Sequence, residues 1–207
     1  MTLEGRLWIT AAFAMIAFIA LGAIVSREPP TRFDVEAGAM RGDATQLAIS
    51  LTQSGRFWPL IVLACIGLLI FTLARWPLWI PALIFGSQIV SQGCIEVAKR
   101  LFVRARPDDW LFRHELGYSY PSGHACTAIV FFGAYALVMC ALPIGRGWKL
   151  AVVAFALFWI LGIDWSRIAL GAHYLTYVIG GTLFGVAWLC AIAALTLRFL
   201  THGRFAL

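Results

Sequence analysis

Long stretches without a charged side chain are the feature that most limits how this chain can fold. Residues 7–26, 57–74 and 76–95 contain no Asp, Glu, Lys or Arg. Each stretch is long enough to cross about 30 Å of hydrocarbon as an α-helix. The whole chain is 61% hydrophobic and only 13% charged, which is far more apolar than a soluble domain. We therefore expect an integral membrane protein.

Three further apolar stretches complete a plan of six spans. We predict an all-α fold, an integral membrane six-helix bundle that forms a single domain over 1–207. A cleaved signal peptide is the alternative for the first span, but its apolar run exceeds the usual length of about 7 to 15 residues, which favours a retained anchor. The predicted spans are roughly 7–26, 57–74, 76–97, 122–143, 149–165 and 174–197.

Cysteine usage and net charge argue against two other classes of protein. The five cysteines lie in or beside apolar runs and form no CxxC pair, so we expect packing residues and not metal ligands. The formal charge of +6 comes from basic residues in short loops between spans, and not along one soluble face. Nucleic acid is therefore excluded as a partner, and anionic membrane lipids or a phosphorylated substrate suit the charge better.

Three sequence patches fall at one membrane face, because the loops after spans one, three and five of a six-span bundle share a side. The patches are KRLFVRARP from Lys99 to Pro107, PSGH from Pro121 to His124, and SRIALGAH from Ser166 to His173. Their common side predicts that their polar groups meet.

The first two patches have the residue types of an oxyanion site. Lys99 offers a point charge and Arg106 a planar fork, which together suit a tetrahedral anion. Pro121 and Ser122 are good helix-start residues, and Gly123 allows a ligand to approach the backbone, so free N–H groups would point at an anion. The structural alternatives are cations that extend toward lipid headgroups and a plain helix cap.

The third patch adds a nucleophile. Arg167 supplies another phosphate-binding fork, and His173 follows it by six residues, where a neutral imidazole can attack phosphorus. His124 can donate a proton to the departing oxygen. A lone histidine at a membrane boundary is more often structural, but two histidines with three cations and a helix cap indicate a catalytic site.

The order and spacing of the three patches resemble the signature of the type 2 phosphatidic acid phosphatase superfamily. The resemblance implies a helical membrane bundle with a site that needs neither a metal nor another cofactor and faces the non-cytoplasmic side. It implies that His173 forms a phosphohistidine and that His124 protonates the leaving group and then serves as the base for water. The phosphate ligands that it implies are Lys99, Arg106, Ser122, Gly123 and Arg167.

The chain departs from this signature at one position. The family has an aspartate four residues after the nucleophilic histidine, where it holds the far ring nitrogen, and this chain has Tyr177. The Tyr177 hydroxyl can orient the ring without the same electrostatic help. Asp164 and Glu96 are the nearest other carboxylates by their place in the sequence, although Asp164 more simply ends span five.

We therefore expect a lipid phosphate or diphosphate phosphatase of the bacterial inner membrane, with its site facing the periplasm or the exterior. The resemblance gives undecaprenyl diphosphate, phosphatidylglycerol phosphate, phosphatidic acid and lipid A phosphate as substrate classes. Two alternatives are a phosphotransferase that passes the phosphoryl group to a lipid acceptor, and a catalytically weakened phospholipid-binding protein. The sequence leaves the oligomeric state open.

Overall fold

The computed structural model describes residues 1–108, 110–113 and 115–201. Residues 109, 114 and 202–207, which the predicted domain includes, lie outside the described residues. Within the described ranges every regular element is a helix. The prediction of an all-α membrane fold is confirmed.

The described helices supply five or six membrane spans. Five are long and apolar enough to cross a bilayer, and α3 with α4, which are bent by 57°, make a sixth when the pair is taken as one. A short π-helical turn, Ile129–Gly133, lies inside the span Gly123–Ala141. The helices are α1 Leu3–Val25, α2 Arg32–Ala37, α3 Thr45–Ser54, α4 Phe57–Leu73, α5 Trp79–Phe102, α6 Gly123–Ala128, α7 Ala134–Ala141, α8 Arg146–Ala169 and α9 Leu175–Thr201.

Helix α3 packs against the half of α8 that carries Arg167. It buries Leu51 beside Gly162, where a β-carbon would lie 3.2 Å from the leucine side chain. The indole of Trp159 on α8 donates a hydrogen bond of 2.8 Å to the Ser54 hydroxyl. These contacts hold α3, which belongs to the connector after α1, against α8, the helix that carries the predicted phosphate ligand Arg167.

Helix α9 lies unusually close to the start of α6. A β-carbon at Gly181 would overlap the carbonyl oxygen of Ser122 and would lie 3.0 Å from the Ala125 β-carbon. The Ser122 amide donates a hydrogen bond of 3.0 Å to the carbonyl of Tyr177 on α9. The Ser122 hydroxyl caps α6 by accepting from the Ala125 amide. Small residues on α9 therefore hold the PSGH segment in place.

Asp34 on α2 ties the short helix to the first turn of α9. One carboxylate oxygen accepts from the Thr176 amide at 2.8 Å and the other from the Thr176 hydroxyl at 3.0 Å. The same carboxylate completes a capping box with Thr31. Because α9 begins two residues after His173, this cap also limits the position of the predicted nucleophile.

Candidate active site

The three sequence patches meet at one cavity of about 650 Å³. Its wall includes Lys99 and Arg106 from the first patch, Gly123 and His124 from the second, and His173 from the third. Arg167 lies behind this wall with a side chain only 2% exposed and reaches Glu115 on the cavity surface. Ser122 is fully buried at the N-cap of α6.

The buried guanidinium of Arg167 is held from two sides. One terminal nitrogen donates to the hydroxyl of Thr52 on α3, and the other lies 2.9 Å from a carboxylate oxygen of Glu115. Its Nε has no hydrogen-bond partner among the described residues, and the terminal nitrogen beside Glu115 forms an ion pair without hydrogen-bond geometry. A buried guanidinium that is already held in position is well suited to bind an anion, because it reorganises little when the anion binds.

Glu115 is the point at which three arginines converge. Besides Arg167, its carboxylate lies 3.3 Å from Arg106 and 3.5 Å from Arg56. Burial alone raises the pKa of the Glu115 carboxyl, but the positive charges of these arginines outweigh that effect, so the pKa lies below its ordinary value. The ionised carboxylate therefore marks the position at which this protein stabilises an anion.

His173 is held at both ring nitrogens. Its Nδ1 lies 2.9 Å from the hydroxyl of Ser119, and its Nε2 lies 3.4 Å from a terminal nitrogen of Arg106. The backbone amide of His173 donates to the Arg167 carbonyl at 3.1 Å. Burial, followed by the charges of Arg167 and Arg106, holds the pKa of His173 well below 6.5, so the imidazole is neutral near pH 7.

His124 lies in the first turn of α6 and lines the same cavity as His173. Its Nε2 is buried and has no hydrogen-bond partner among the described residues. Gly55, in the bend between α3 and α4, closes the space beside the ring, since a β-carbon there would lie 3.4 Å from His124 Cδ2. A ring nitrogen without a protein partner, on a residue that lines the cavity, is suited to be a proton donor for bound substrate.

Lys99 and Gly123 face each other across a narrow part of the cavity. A β-carbon at Gly123 would lie 3.1 Å from the Gln92 side-chain oxygen and 4.0 Å from the Lys99 ammonium nitrogen. The Lys99 ammonium pairs with Glu96 at 2.6 Å. Because Gly123 has no side chain, an anion can approach both the backbone N–H groups at the start of α6 and the Lys99 ammonium.

The Tyr177 hydroxyl has a different partner from the one that the sequence suggests. It accepts a hydrogen bond of 2.9 Å from Arg104 Nε, whereas the Nδ1 of His173 is bound by Ser119. Of the other carboxylates considered, Asp164 bonds with Thr182 on α9 at 3.1 Å, and Glu96 pairs with Lys99.

Three residues of this site are absent from the sequence-based prediction, namely Arg56, Glu115 and Ser119. Glu115 is one of three carboxylates in the loop after α5, with Asp108 and Asp109, and Ser119 is a hydroxyl three residues before the predicted cap. Neither signal specifies a partner. Among the described residues, no group of three or more His, Cys, Asp or Glu side chains is arranged to hold a metal ion.

Comparison with known proteins identifies the family. Residues 78–200 match the model of the PAP2 superfamily, so the chain belongs to that superfamily. The fold agrees with the crystal structure of the first transmembrane PAP2-type phosphatidylglycerolphosphate phosphatase from Bacillus subtilis, with a TM-score of 0.76 and 23% identity over 91% of this chain and 96% of that one.

Three curated relatives are phosphatases by name. The chain is 34% identical to a lipid A 1-phosphatase of Rhizobium johnstonii over 56% of its own length, an alignment that spans only 48% of that relative. It is 28% identical to a lipid A 1-phosphatase of Rhizobium etli over 91% of this chain and 84% of the relative. It is 31% identical to phosphatidylglycerophosphatase B of Bacillus subtilis over 66% of both chains.

Proposed function

We propose that this chain is a membrane hydrolase that removes phosphate from a lipid through a phosphohistidine at His173. The observation that carries the proposal is the convergence of Arg106 and Arg167 on one anion, Glu115, with Arg106 also 3.4 Å from His173 Nε2. A phosphoryl group at the position of the carboxylate would therefore lie beside a neutral nucleophile and within a cluster of cations.

The proposed reaction has two steps. In the first, which starts with His124 protonated as the imidazolium, the Nε2 lone pair of His173 forms a bond to phosphorus and the bond between phosphorus and the lipid oxygen breaks. His124 gives its extra proton to that oxygen and becomes neutral. In the second, His124 removes a proton from water, the water oxygen attacks phosphorus, and the P–N bond breaks. Inorganic phosphate leaves, and both histidines return to their initial states.

The shape of the cavity supports a lipid as the carrier of the phosphate. Besides the two histidines, the cavity is lined by apolar side chains on two neighbouring helices, Phe57 and Leu60 on α4 and Phe85 and Ile89 on α5. A phosphate at the cationic end would leave an apolar tail beside this surface. A soluble sugar phosphate would gain nothing from it.

We infer lipid A 1-phosphate as the first substrate to test and phosphatidylglycerophosphate as the second. The support is the alignment over most of both chains with the lipid A 1-phosphatase of Rhizobium etli, and the fold shared with a phosphatidylglycerolphosphate phosphatase. Both lipids present a phosphate monoester on a sugar or glycerol headgroup at the membrane surface.

The test is phosphate release from purified protein in detergent, with a chelator present throughout. The substrates are lipid A 1-phosphate, phosphatidylglycerophosphate, phosphatidic acid and undecaprenyl diphosphate. We expect turnover by the parent and loss of turnover in His173→Ala, with labelled phosphate trapped on the parent protein in an acid-labile form. Turnover that survives His173→Ala would refute the proposed nucleophile, and transfer of label to a second lipid in place of water would indicate a phosphotransferase.

We also propose that the site faces the periplasm from the inner membrane. Loops on the cytoplasmic side usually carry more lysine and arginine than those on the other side. The arginines at this site, Arg56, Arg106 and Arg167, would be needed to bind the anion on either side. Their presence therefore does not argue against a periplasmic site. Reporter fusions after Thr201 and labelling of a cysteine introduced at exposed Leu116 test it. Periplasmic access at position 116 with a cytoplasmic C-terminal fusion is expected, and the opposite pattern would overturn it.

A further inference from the structure

We propose that Ser119 is the positioning residue for His173, in the place that an aspartate at position 177 would have. The inference rests on the proposed function, since it concerns how the nucleophile is oriented. Ser119 is fully buried, and its hydroxyl lies 2.9 Å from His173 Nδ1.

The direction of this hydrogen bond follows from the other side of the ring. The guanidinium of Arg106 carries donors only, and it lies 3.4 Å from His173 Nε2. Nε2 must therefore present its lone pair to Arg106, and the single proton of the neutral ring is on Nδ1. Nδ1–H then donates to the Ser119 oxygen. This is the tautomer in which Nε2 can attack phosphorus.

Tyr177 acts on Ser119 indirectly, through Arg104. The Tyr177 hydroxyl accepts from Arg104 Nε at 2.9 Å, and the carbonyl of the same Arg104 accepts from the Ser119 amide at 2.8 Å. The tyrosine therefore supports the segment that presents the serine, while the serine contacts the histidine. This chain has tyrosine where the family has aspartate, and the partner of His173 Nδ1 in it is Ser119.

A serine partner has a different electrostatic effect from a carboxylate. The hydroxyl fixes the tautomer and the ring plane, but it adds no negative charge to stabilise the positive charge of a phosphorylated imidazole. Removal of a carboxylate that orients a catalytic histidine lowers kcat by about 10⁴. Loss of a neutral hydrogen bond should cost less, and we expect about a tenfold decrease in kcat.

The experiment compares Ser119→Ala and Ser119→Cys, which remove the strong acceptor, with Ser119→Thr, which keeps a hydroxyl. Ser91→Ala is the matched control, because Ser91 is equally buried on α5 and bonds to the Gln88 carbonyl instead. Tyr177→Phe removes the support of Arg104 and leaves Ser119 intact. Each protein is assayed for kcat and KM, and ¹⁵N-histidine spectra in detergent report the protonation of the His173 nitrogens.

We expect Ser119→Ala and Ser119→Cys to lose about tenfold in kcat with little change in KM, and their His173 spectra to show mixed tautomers. Ser119→Thr should recover most of the rate and the single tautomer, Ser91→Ala should match the parent, and Tyr177→Phe should lose less than Ser119→Ala. Unchanged kcat and spectra in both Ser119→Ala and Ser119→Cys, or a larger loss in Tyr177→Phe, would overturn the inference.

Failure of the proposed function gives a different result. In that case the parent releases no phosphate or His173→Ala remains active, while the spectra still report whether Ser119 sets the His173 tautomer. The His173 signals are assigned by their disappearance in His173→Ala, so the spectroscopic result does not depend on turnover.

Discussion

The Glu115 carboxylate and the Arg167 guanidinium lie 2.9 Å apart, and the arginine side chain is only 2% exposed. Arg167 also donates to Thr52, so the buried cation is bound by a hydroxyl on one side and a carboxylate on the other. Removing a buried arginine from water is costly unless its donors are satisfied. Glu115 therefore stabilises Arg167, and it does so at the position that we assign to the substrate phosphate.

A competition between Glu115 and bound phosphate follows from this geometry. Glu115→Gln removes the negative charge and keeps the size of the side chain. Inorganic phosphate and vanadate should then inhibit more strongly, with a decrease in Ki of about threefold to tenfold, since a partly exposed ion pair is worth about 1 kcal/mol. The measurement is inhibition of phosphate release at fixed lipid substrate.

The control for this change is Glu36→Gln. Glu36 pairs with Arg32 on the exposed surface of α2, where both side chains are more than half exposed. Its removal should leave Ki for phosphate unchanged. A Ki in Glu115→Gln equal to or higher than that of the parent would show that the carboxylate does not occupy the anion position.

The pH dependence of kcat/KM should reflect the unusual environment of His173. The pKa of His173 lies well below 6.5 because of burial first and then the charges of Arg167 and Arg106, with smaller effects from Lys99 and His124. A nucleophile with a lowered pKa stays neutral as the pH falls, so activity persists until the pH drops well below 6.5. Measurement from about pH 4.5 to about pH 8 should show no loss attributable to His173 above 6.5.

Ionisation of the substrate phosphate near pH 6 also affects this profile, and Arg106→Gln separates the two effects. Removal of a neighbouring positive charge makes His173 easier to protonate, so its pKa rises and the acid limb should move to higher pH. The substrate's own ionisation does not move. Arg32→Gln, which changes an exposed arginine on α2, should leave the profile where it is. A parent profile in which protonation of His173 begins at or above pH 6.5 would contradict the prediction.

The fold was predictable because its signals are local. Most spans are encoded by a run of uncharged residues, although the fifth, 149–165, also contains Lys149 and Asp164. The order of the spans brings Lys99, Arg106 and Arg167 to one face. The partners of these residues were less predictable. Ser119 and Glu115 lie in the long connection between α5 and α6, where the path of the backbone decides which side chain reaches the histidine or the arginines. No periodicity or spacing specifies such a path.

The close approach of α9 to α6 predicts that Gly181 is intolerant of a side chain. In Gly181→Ala the β-carbon would overlap the Ser122 carbonyl oxygen, so the PSGH segment must move. We expect a loss of about 1 to 3 kcal/mol in stability and a decrease in kcat of at least about tenfold.

Gly93→Ala on α5 is the matched control, because nothing lies within 4 Å of a β-carbon there. Thermal unfolding in detergent and phosphate release measure the two effects, and equal behaviour of the two variants would disprove the packing argument.

The cap that Asp34 provides to α9 predicts a further effect at a distance from the cavity. Asp34→Ala leaves the Thr176 amide and hydroxyl without their acceptor, which should lower the stability by about 1 kcal/mol. The first turn of α9 directly follows His173, so loosening it should also lower kcat while substrate affinity changes little. Asp43→Ala, at an exposed aspartate in the turn before α3, is the control. If Asp34→Ala lost stability with an unchanged kcat, the cap would serve the fold alone, and the position of His173 would depend on Ser119 and the Arg167 carbonyl.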